Sequence, residues 1–287
     1  MSSPPRPGGL DDQTVRWRLR VAYNGSGFRG FAINAGQETV AGALTEALSR
    51  VTRTPVVLTC AGRTDSGVHA LDQVVHFDLP AAASDLLDPR LVRKSCNSQL
   101  GPAIVVREAG LAPIGFDARR SATSRRYRYL VVNAPVADPL LAGLAWHVSD
   151  PLDLRSMSAA ADALLGEHDF RAFCRRVPGT SPEEPLVRRV MDARWTRLPG
   201  SSGRNAEGGR DTVALVPAEG DLLAFEIEAN AFCHRMVRSL VGTLVDVGRG
   251  GRRPSDMLWI LRSLDRKESS QPAPARGLTL MAVRYGD

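Results

Sequence analysis

Lysine is nearly absent from this 287-residue chain: of 37 basic residues only Lys94 and Lys267 are lysine, and 35 are arginine. Cysteine is sparse as well, with Cys60, Cys96, Cys174 and Cys233 spaced 36, 78 and 59 residues apart. No Cys-x-x-Cys pair occurs, and the residues around each cysteine point to buried strand or helix positions, not to a disulfide framework. The five histidines (His69, His76, His147, His168 and His234) show no His-Glu-x-x-His or other paired spacing, so no metal site is expected. A Walker loop and a Gly-x-Ser-x-Gly elbow are both missing, which removes the P-loop and α/β-hydrolase chemistries. The longest apolar run, 140–146, is far too short to cross a bilayer. Residues 1–14 are rich in Pro and Gly without an apolar core and are expected to form a mobile tail, not a secretory signal. These absences lead to the expectation of a reduced, cytoplasmic protein without membrane contact.

What is present is an ordinary globular composition, 43% hydrophobic and 24% charged, in a chain of about two domains' length. The net charge of +6 is small for that length and identifies no partner by itself. A GC-rich coding bias accounts for the overall arginine ratio, so functional meaning lies only in where arginines cluster. Arginine's planar fork suits phosphate, whereas lysine is a flexible point charge.

Patterning along the chain gives an α/β (α+β) reading. Residues 16–23 alternate, with Trp17, Leu19, Val21 and Tyr23 on one face and Arg16, Arg18 and Arg20 on the other, as in a half-buried strand. Thr39 can cap a helix whose Val40, Leu44, Ala47, Leu48 and Val51 share a face. Strands near 55–61 and 73–79, a helix near 88–99 and a strand at 103–108 complete the split βαβ order of a ferredoxin-like half. A second set follows: strand 125–132, helix 153–165, strands 187–197 and 221–229, helix 231–247 and strand 278–285. The expectation is two ferredoxin-like (RRM-like) lobes, 15–117 and 118–287, forming a mixed sheet with a basic cleft between them. A flexible insertion is expected near 199–211.

Three segments carry candidate chemistry. Gly25-Ser26-Gly27-Phe28-Arg29-Gly30 is a literal GxGxxG after a strand, but the next helix cannot start before Thr39 and no acidic residue follows at ribose distance. The nucleotide reading fails, and the glycines are expected to let a loop carrying Arg29 pass close to another backbone. Residues 62–70, GRTDSGVHA, place Asp65 between glycines. Such an Asp is either a turn residue bonding its own backbone or, held between two strands and near Arg63, an ionised nucleophile or base. Residues 119–129 pack Arg119, Arg120, Arg125, Arg126 and Arg128 with Tyr127 and Tyr129 and contain no acid. This is either a charged edge strand that discourages aggregation or an RNA surface combining backbone tracking with base stacking. Smaller clusters at Arg171/Arg175/Arg176 and Arg249/Arg252/Arg253 favour an extended anionic partner. Within 231–247, His234, Arg238 and Gly242 form a stripe at four-residue spacing, and Arg238 in so apolar a helix is either a snorkelling edge residue or a buried partner for a carboxylate, for which Asp65 is nominated.

With these residues assembled, GRTDSGVHA resembles the catalytic loop of the tRNA pseudouridine synthase A family. VAYNGSGFRGF, FDARRSATSRRYRYLV, GEHDFRAFC, NAFCHRMVRSLVGTLVDVG and GLTLMAVRY resemble further blocks of that family in the same order, over 21–285. The resemblance implies a cofactor-free homodimer that isomerises uridines 38, 39 and 40 of the tRNA anticodon stem-loop. It implies Asp65 as the catalytic aspartate, Arg63 as the residue that helps displace the target base, and Tyr127 as the ring that stacks on it. Arg238 would pair with the aspartate and Leu278 would form the apolar wall of the pocket. Arg29, His69, Arg119, Arg120, Arg125, Arg126 and Arg128 are the expected further substrate contacts. A binding-only RNA protein would need the arginines and tyrosines, but not a carboxylate whose charge repels phosphate.

Overall fold

The computed structural model describes residues 14–176, 179, 181, 183–198 and 220–286. The tail expected over 1–14 lies outside these residues except for Thr14, and so does the insertion expected at 199–211. The first half contains β1 (Thr14–Tyr23), α1 (Val40–Thr52), β2 (Thr59–Cys60), β3 (His69–Pro80), α2 (Ala81–Ser84), α3 (Pro89–Leu100) and β4 (Ile104–Leu111). The second contains β5 (Ala122–Asn133), β6 (Trp146–Val148), α4 (Leu154–Asp162), β7 (Gly166–Asp169), β8 (Val187–Arg197) and β9 (Asp221–Ala229). It ends with α5 (Met236–Gly248), α6 (Asp256–Ser263) and β10 (Leu278–Tyr285).

Local chemistry sets several of these boundaries. The Thr39 side chain accepts from the Gly42 amide and Asp88 from the Arg90 amide, so α1 and α3 begin at satisfied caps. The alternation of β1 is a burial pattern: Trp17, Leu19, Val21 and Tyr23 are buried, while Arg16 pairs with Asp78 and Arg20 with Asp72 on β3. The expected helix over 231–247 starts later, at Met236, because Arg235 takes a left-handed conformation (φ 64°) that ends the preceding turn. The strand expected at 55–61 shrinks to the two residues of β2, since β3 begins at His69 and its remaining edge is taken elsewhere. The short elements β6, β7, α2 and α6 were not legible in the periodicity.

All ten strands join one mixed sheet, ordered β4-β1-β3-β10-β5-β9-β8-β7, with β2 on β3 and β6 on β5. The first half therefore runs β4-β1-β3-β2 and the second β10-β5-β9-β8, the same order of equivalent strands. The halves meet where β10 pairs parallel with β3 at His69 and Ala70 and antiparallel with β5 along most of its length. One hydrophobic core runs through both halves, from Trp17 to Val283. Because β2 pairs with β3 at Val75 and His76 and β10 pairs with it at His69 and Ala70, the 61–68 loop is held at the junction of the halves.

Candidate active site

The loop between β2 and β3 is fixed from several sides. The Phe31 amide donates to the Thr64 carbonyl (3.0 Å), the Ser66 hydroxyl to the Phe28 carbonyl (3.2 Å), and the Gln73 amide to the Gly62 carbonyl (2.7 Å). Tyr23 and Thr64 share a buried hydroxyl–hydroxyl bond of 2.8 Å. The GSGFRG segment lies against this loop, as the sequence suggested. A Cβ at Gly25 would overlap the Val68 carbonyl, and one at Gly30 (φ 103°) would stand 3.2 Å from the Thr64 oxygen. The glycines are thus needed for backbone-to-backbone packing, and they leave Arg29 exposed at the rim.

Asp65 is the centre of this arrangement. Its Oδ2 accepts from the Arg238 Nη1 at 3.0 Å, and its Oδ1 lies 3.3 Å from the His234 Nε2. The carboxylate keeps a quarter of its side-chain surface open, while Arg238 is largely covered. Arg238 is itself anchored, its Nε donating to the Ala273 carbonyl at 2.7 Å and its own carbonyl accepting from the Ala273 amide at 2.9 Å. Gly242, one turn further along α5, lets the 271–273 segment run close, since a Cβ there would collide with the Gln271 carbonyl. The His234/Arg238/Gly242 stripe is therefore the face of this segment that meets Asp65 and its support. His234 was noted in that stripe but not assigned to the site, because the turn before α5 that aims it at Asp65 is invisible to helical periodicity.

Tyr127 lies on β5, buried, with its ring edge-on to Phe232 at 5.1 Å. Burial raises its hydroxyl pKa well above the ordinary tyrosine value, against the pull of the Arg125 charge, so the phenol is neutral at pH 7. Leu278 is buried at the start of β10, opposite Tyr129 on β5. Arg63, Arg119 and Arg120 are exposed. Arg63 and Arg119 both act on the Cys60 thiol, which burial pushes up to about 11 against the pull of those two charges, so both stand beside the loop. Among the described residues Asp65 has its ion pairs with Arg238 and His234, and Arg63 is not within pairing distance.

Four expected substrate contacts are placed otherwise. Arg126 and Arg128 project from the face of β5 opposite Tyr127, where they pair with Glu228 (2.9 Å) and Glu226 (2.6 Å) of β9. The acids missing from the arginine-rich segment are supplied by the neighbouring strand. Arg125 shares the face of Tyr127 but is buried, and it donates to the carbonyls of Ala61, Arg119, Ala122 and Asn230. It braces the loop and leaves no fork for RNA. His69 is buried as well: its Nδ1 accepts from the Gly25 amide, so its Nε2–H is the donor shared between the Gly143 and Arg276 carbonyls, each at 3.1 Å. Both ring nitrogens are used, and burial lowers its pKa.

The cysteine reading is also corrected. Cys174 and Cys233 form a disulfide, with Cα atoms 5.7 Å apart, while Cys60 and Cys96 are free. The pairing was hidden by 59 residues of sequence. In space the single helical turn at Arg171–Phe173 packs beside the turn before α5, where the Arg175 amide donates to the His234 carbonyl (2.9 Å). Among the described residues no group of three His, Cys, Asp or Glu is arranged to hold a metal ion, and no helix is long and apolar enough to cross a membrane.

A duplicated ferredoxin-like sheet thus carries, at its seam, a partly open carboxylate clamped by an arginine and a histidine. A family model described as tRNA pseudouridine synthase matches residues 160–286. The "tRNA pseudouridine synthase A" of Frankia casuarinae is 44% identical over 280 residues, covering 96% of this chain and 91% of the relative. Those of Mycobacterium leprae (40% identical, 99% and 93% covered) and Leifsonia xyli (38%, 96% and 93%) are similar along nearly their whole lengths. The chain belongs to the tRNA pseudouridine synthase A family, and is thus an isomerase.

Proposed function

We propose that the protein converts uridines 38, 39 and 40 of the tRNA anticodon stem-loop to pseudouridine, with Asp65 as the catalytic carboxylate. The observation that carries this reading is Asp65 itself, partly open and held by Arg238 and His234 on a loop braced from both halves of the sheet. In the reaction the N1–C1′ bond breaks, the uracil turns, a C5–C1′ bond forms, and the C5 proton is lost while N1 gains one. No electrons are gained or lost overall, so the task falls on an ionised carboxylate and on groups that position the base.

Arg238 and His234 orient the carboxylate. Flipping a base out of a stem costs a few kcal/mol. Stacking on Tyr127, on the order of 1–3 kcal/mol, offsets much of that, with Leu278 closing the apolar side of the pocket. Arg63, exposed beside the loop, fills the gap left in the stem, and Arg29, Arg119 and Arg120 contact phosphate around the rim. The lobes at 15–117 and 118–287 form the two walls of the RNA cleft, and the protein acts as a cytoplasmic homodimer. The test is tritium release from tRNA labelled at uridine C5. Wild type should release it and Asp65→Asn should give none. Release that survives Asp65→Asn removes Asp65 from the mechanism, and no release by wild type on several tRNAs leaves a binding protein.

A further inference from the structure

An open cavity of about 640 Å³ is lined in part by Arg235, the residue after His234. Arg171, Arg175, Arg176, Arg235, Arg266 and Lys267 line it. Arg171 alone is neutralised, by Asp169 at 2.7 Å. None of the other five forms an ion pair with a carboxylate among the described residues. Arg176 donates to the Ser181 and Glu184 carbonyls, and Arg266 reaches the Ser239 hydroxyl at 3.3 Å and the Ser270 carbonyl at 3.4 Å. These bonds fix the guanidinium groups in place without cancelling their charge.

Arg235 is the least satisfied of them. It adopts a left-handed backbone conformation (φ 64°), rare for residues other than glycine, and its Nε is buried with no hydrogen-bond partner. Arg235 and Arg266 both line the cavity, and burial, then the charge of Arg235, lowers the pKa of Arg266. The walls are also rigidly joined. The Cys174–Cys233 disulfide and the Arg175–His234 backbone bond tie the loop bearing Arg175 and Arg176 to the turn bearing Arg235. That turn is chain-adjacent to His234, 3.3 Å from Asp65.

We propose that this cavity is a phosphate subsite that takes the backbone of the RNA strand whose base enters the Asp65 site. The inference rests on the tRNA reading above. Charge complementarity selects a polyanion, and the shared turn places that anion next to the reacting nucleotide. A phosphodiester in the cavity would set a negative charge among guanidinium groups that have no carboxylate partner. Held there, the backbone would fix the register of the strand without reading its bases, as phosphate contacts do.

The test uses tRNA binding by the full-length protein at several salt concentrations. Arg175 and Lys267 are exposed, so the double variant Arg175→Ala/Lys267→Ala leaves the core untouched. Each phosphate contact contributes roughly 0.7–0.9 to the slope of log affinity against log salt. The variant should lose about 1 to 2 of that slope and bind tRNA about tenfold more weakly at moderate salt. The charge-keeping Arg175→Lys/Lys267→Arg should restore most of both. Removing two exposed charges elsewhere, with Arg90→Ala/Arg93→Ala on α3, should leave the slope as it was. An unchanged Kd and slope in Arg175→Ala/Lys267→Ala, or an equal fall in the α3 control, overturns the subsite while the tRNA reading stands. Stabilisation of wild type by inorganic pyrophosphate that tRNA does not displace also overturns it, in favour of a small-anion site. A wild type that neither binds tRNA nor releases tritium removes the functional reading, and the subsite with it.

Discussion

Strand β5 presents two arginine environments that sequence alone cannot separate. On one face Arg125, Tyr127 and Tyr129 look toward the Asp65 loop, and the single cation there is buried and spent on four carbonyls. On the other, Arg126 and Arg128 join Arg194 and Arg284 in a ladder around Glu226 and Glu228. The first face holds backbone in place around the Asp65 loop. The second satisfies charge across strands, as Arg16–Asp78 and Arg20–Asp72 do in the first half. Arginine density alone does not mark an RNA surface.

This contrast is most sharply broken or upheld by removing one arginine from the Asp65 side, Arg238 of α5, and one from the ladder, Arg128 of β5. Arg238→Ala removes the guanidinium from Asp65 and should lower turnover by about 10²–10³-fold, the scale of losing one preorganised charge partner at a reacting centre. Arg128→Ala should leave single-turnover tritium release within about twofold of wild type, because its partner Glu226 keeps Arg194 at hydrogen-bond distance. Comparable losses from both variants would erase the distinction between the faces. The next effect concerns the brace. Arg125→Ala strands the buried Ala61 carbonyl and should cost about 1–3 kcal/mol of stability in urea denaturation, since the three half-buried carbonyls can turn to water. Arg125→Lys should recover only part of this, since one ammonium cannot replace a planar fork. A full recovery would mean that charge, not geometry, is what the loop requires.

The smallest effect is in the acid response of the second face. Burial raises the Glu226 pKa, but the hydrogen bond from Arg128 and the charges of Arg128 and Arg194 outweigh it and leave the carboxyl below its ordinary 4.5. For Glu228 the same balance is struck by Ser124, Arg126 and Arg284. Carboxylates depressed in the folded state add stability that is complete above their unfolded value and disappears as pH falls through the folded one. Denaturation midpoints should therefore hold above about pH 4.5 and drop below it, and Glu226→Gln should flatten that drop while costing roughly 2 kcal/mol at pH 7. An unchanged acid profile in Glu226→Gln would show that the ladder adds nothing to stability.

Much of this was legible in the chain. The strands at 187–197, 221–229 and 278–285 match β8, β9 and β10 to the residue, because their apolar or alternating character is continuous and flanked by breaks. The repeated strand order could be read from element succession alone, since similar halves fold independently of residue-level identity. The Arg238–Asp65 pair was found because an arginine inside an apolar helix requires a carboxylate. What escaped were relations between strands and between loops. Glu226 and Glu228 lie about a hundred residues from the arginines they neutralise, and Cys174 meets Cys233 only after two turns have packed. His69 and Arg125 look like ligands in sequence because their carbonyl and amide partners have no side-chain signature.

One topological fact bears on how the protein comes into being. The strand joining the two half-sheets, β10, is the last described element to leave the ribosome, yet it occupies the middle of the finished sheet. Until it arrives, the inner edges of β3 and β5 lack their shared partner, and such open edges invite pairing with other chains. The pairings it completes link residues as far apart as His69 and Thr279, so the final step closes one of the longest loops in the molecule. A chain released short of Leu278 would hold two nearly complete halves with Asp65 at an unsealed border. Seating that closing strand seals the border at which Asp65 stands.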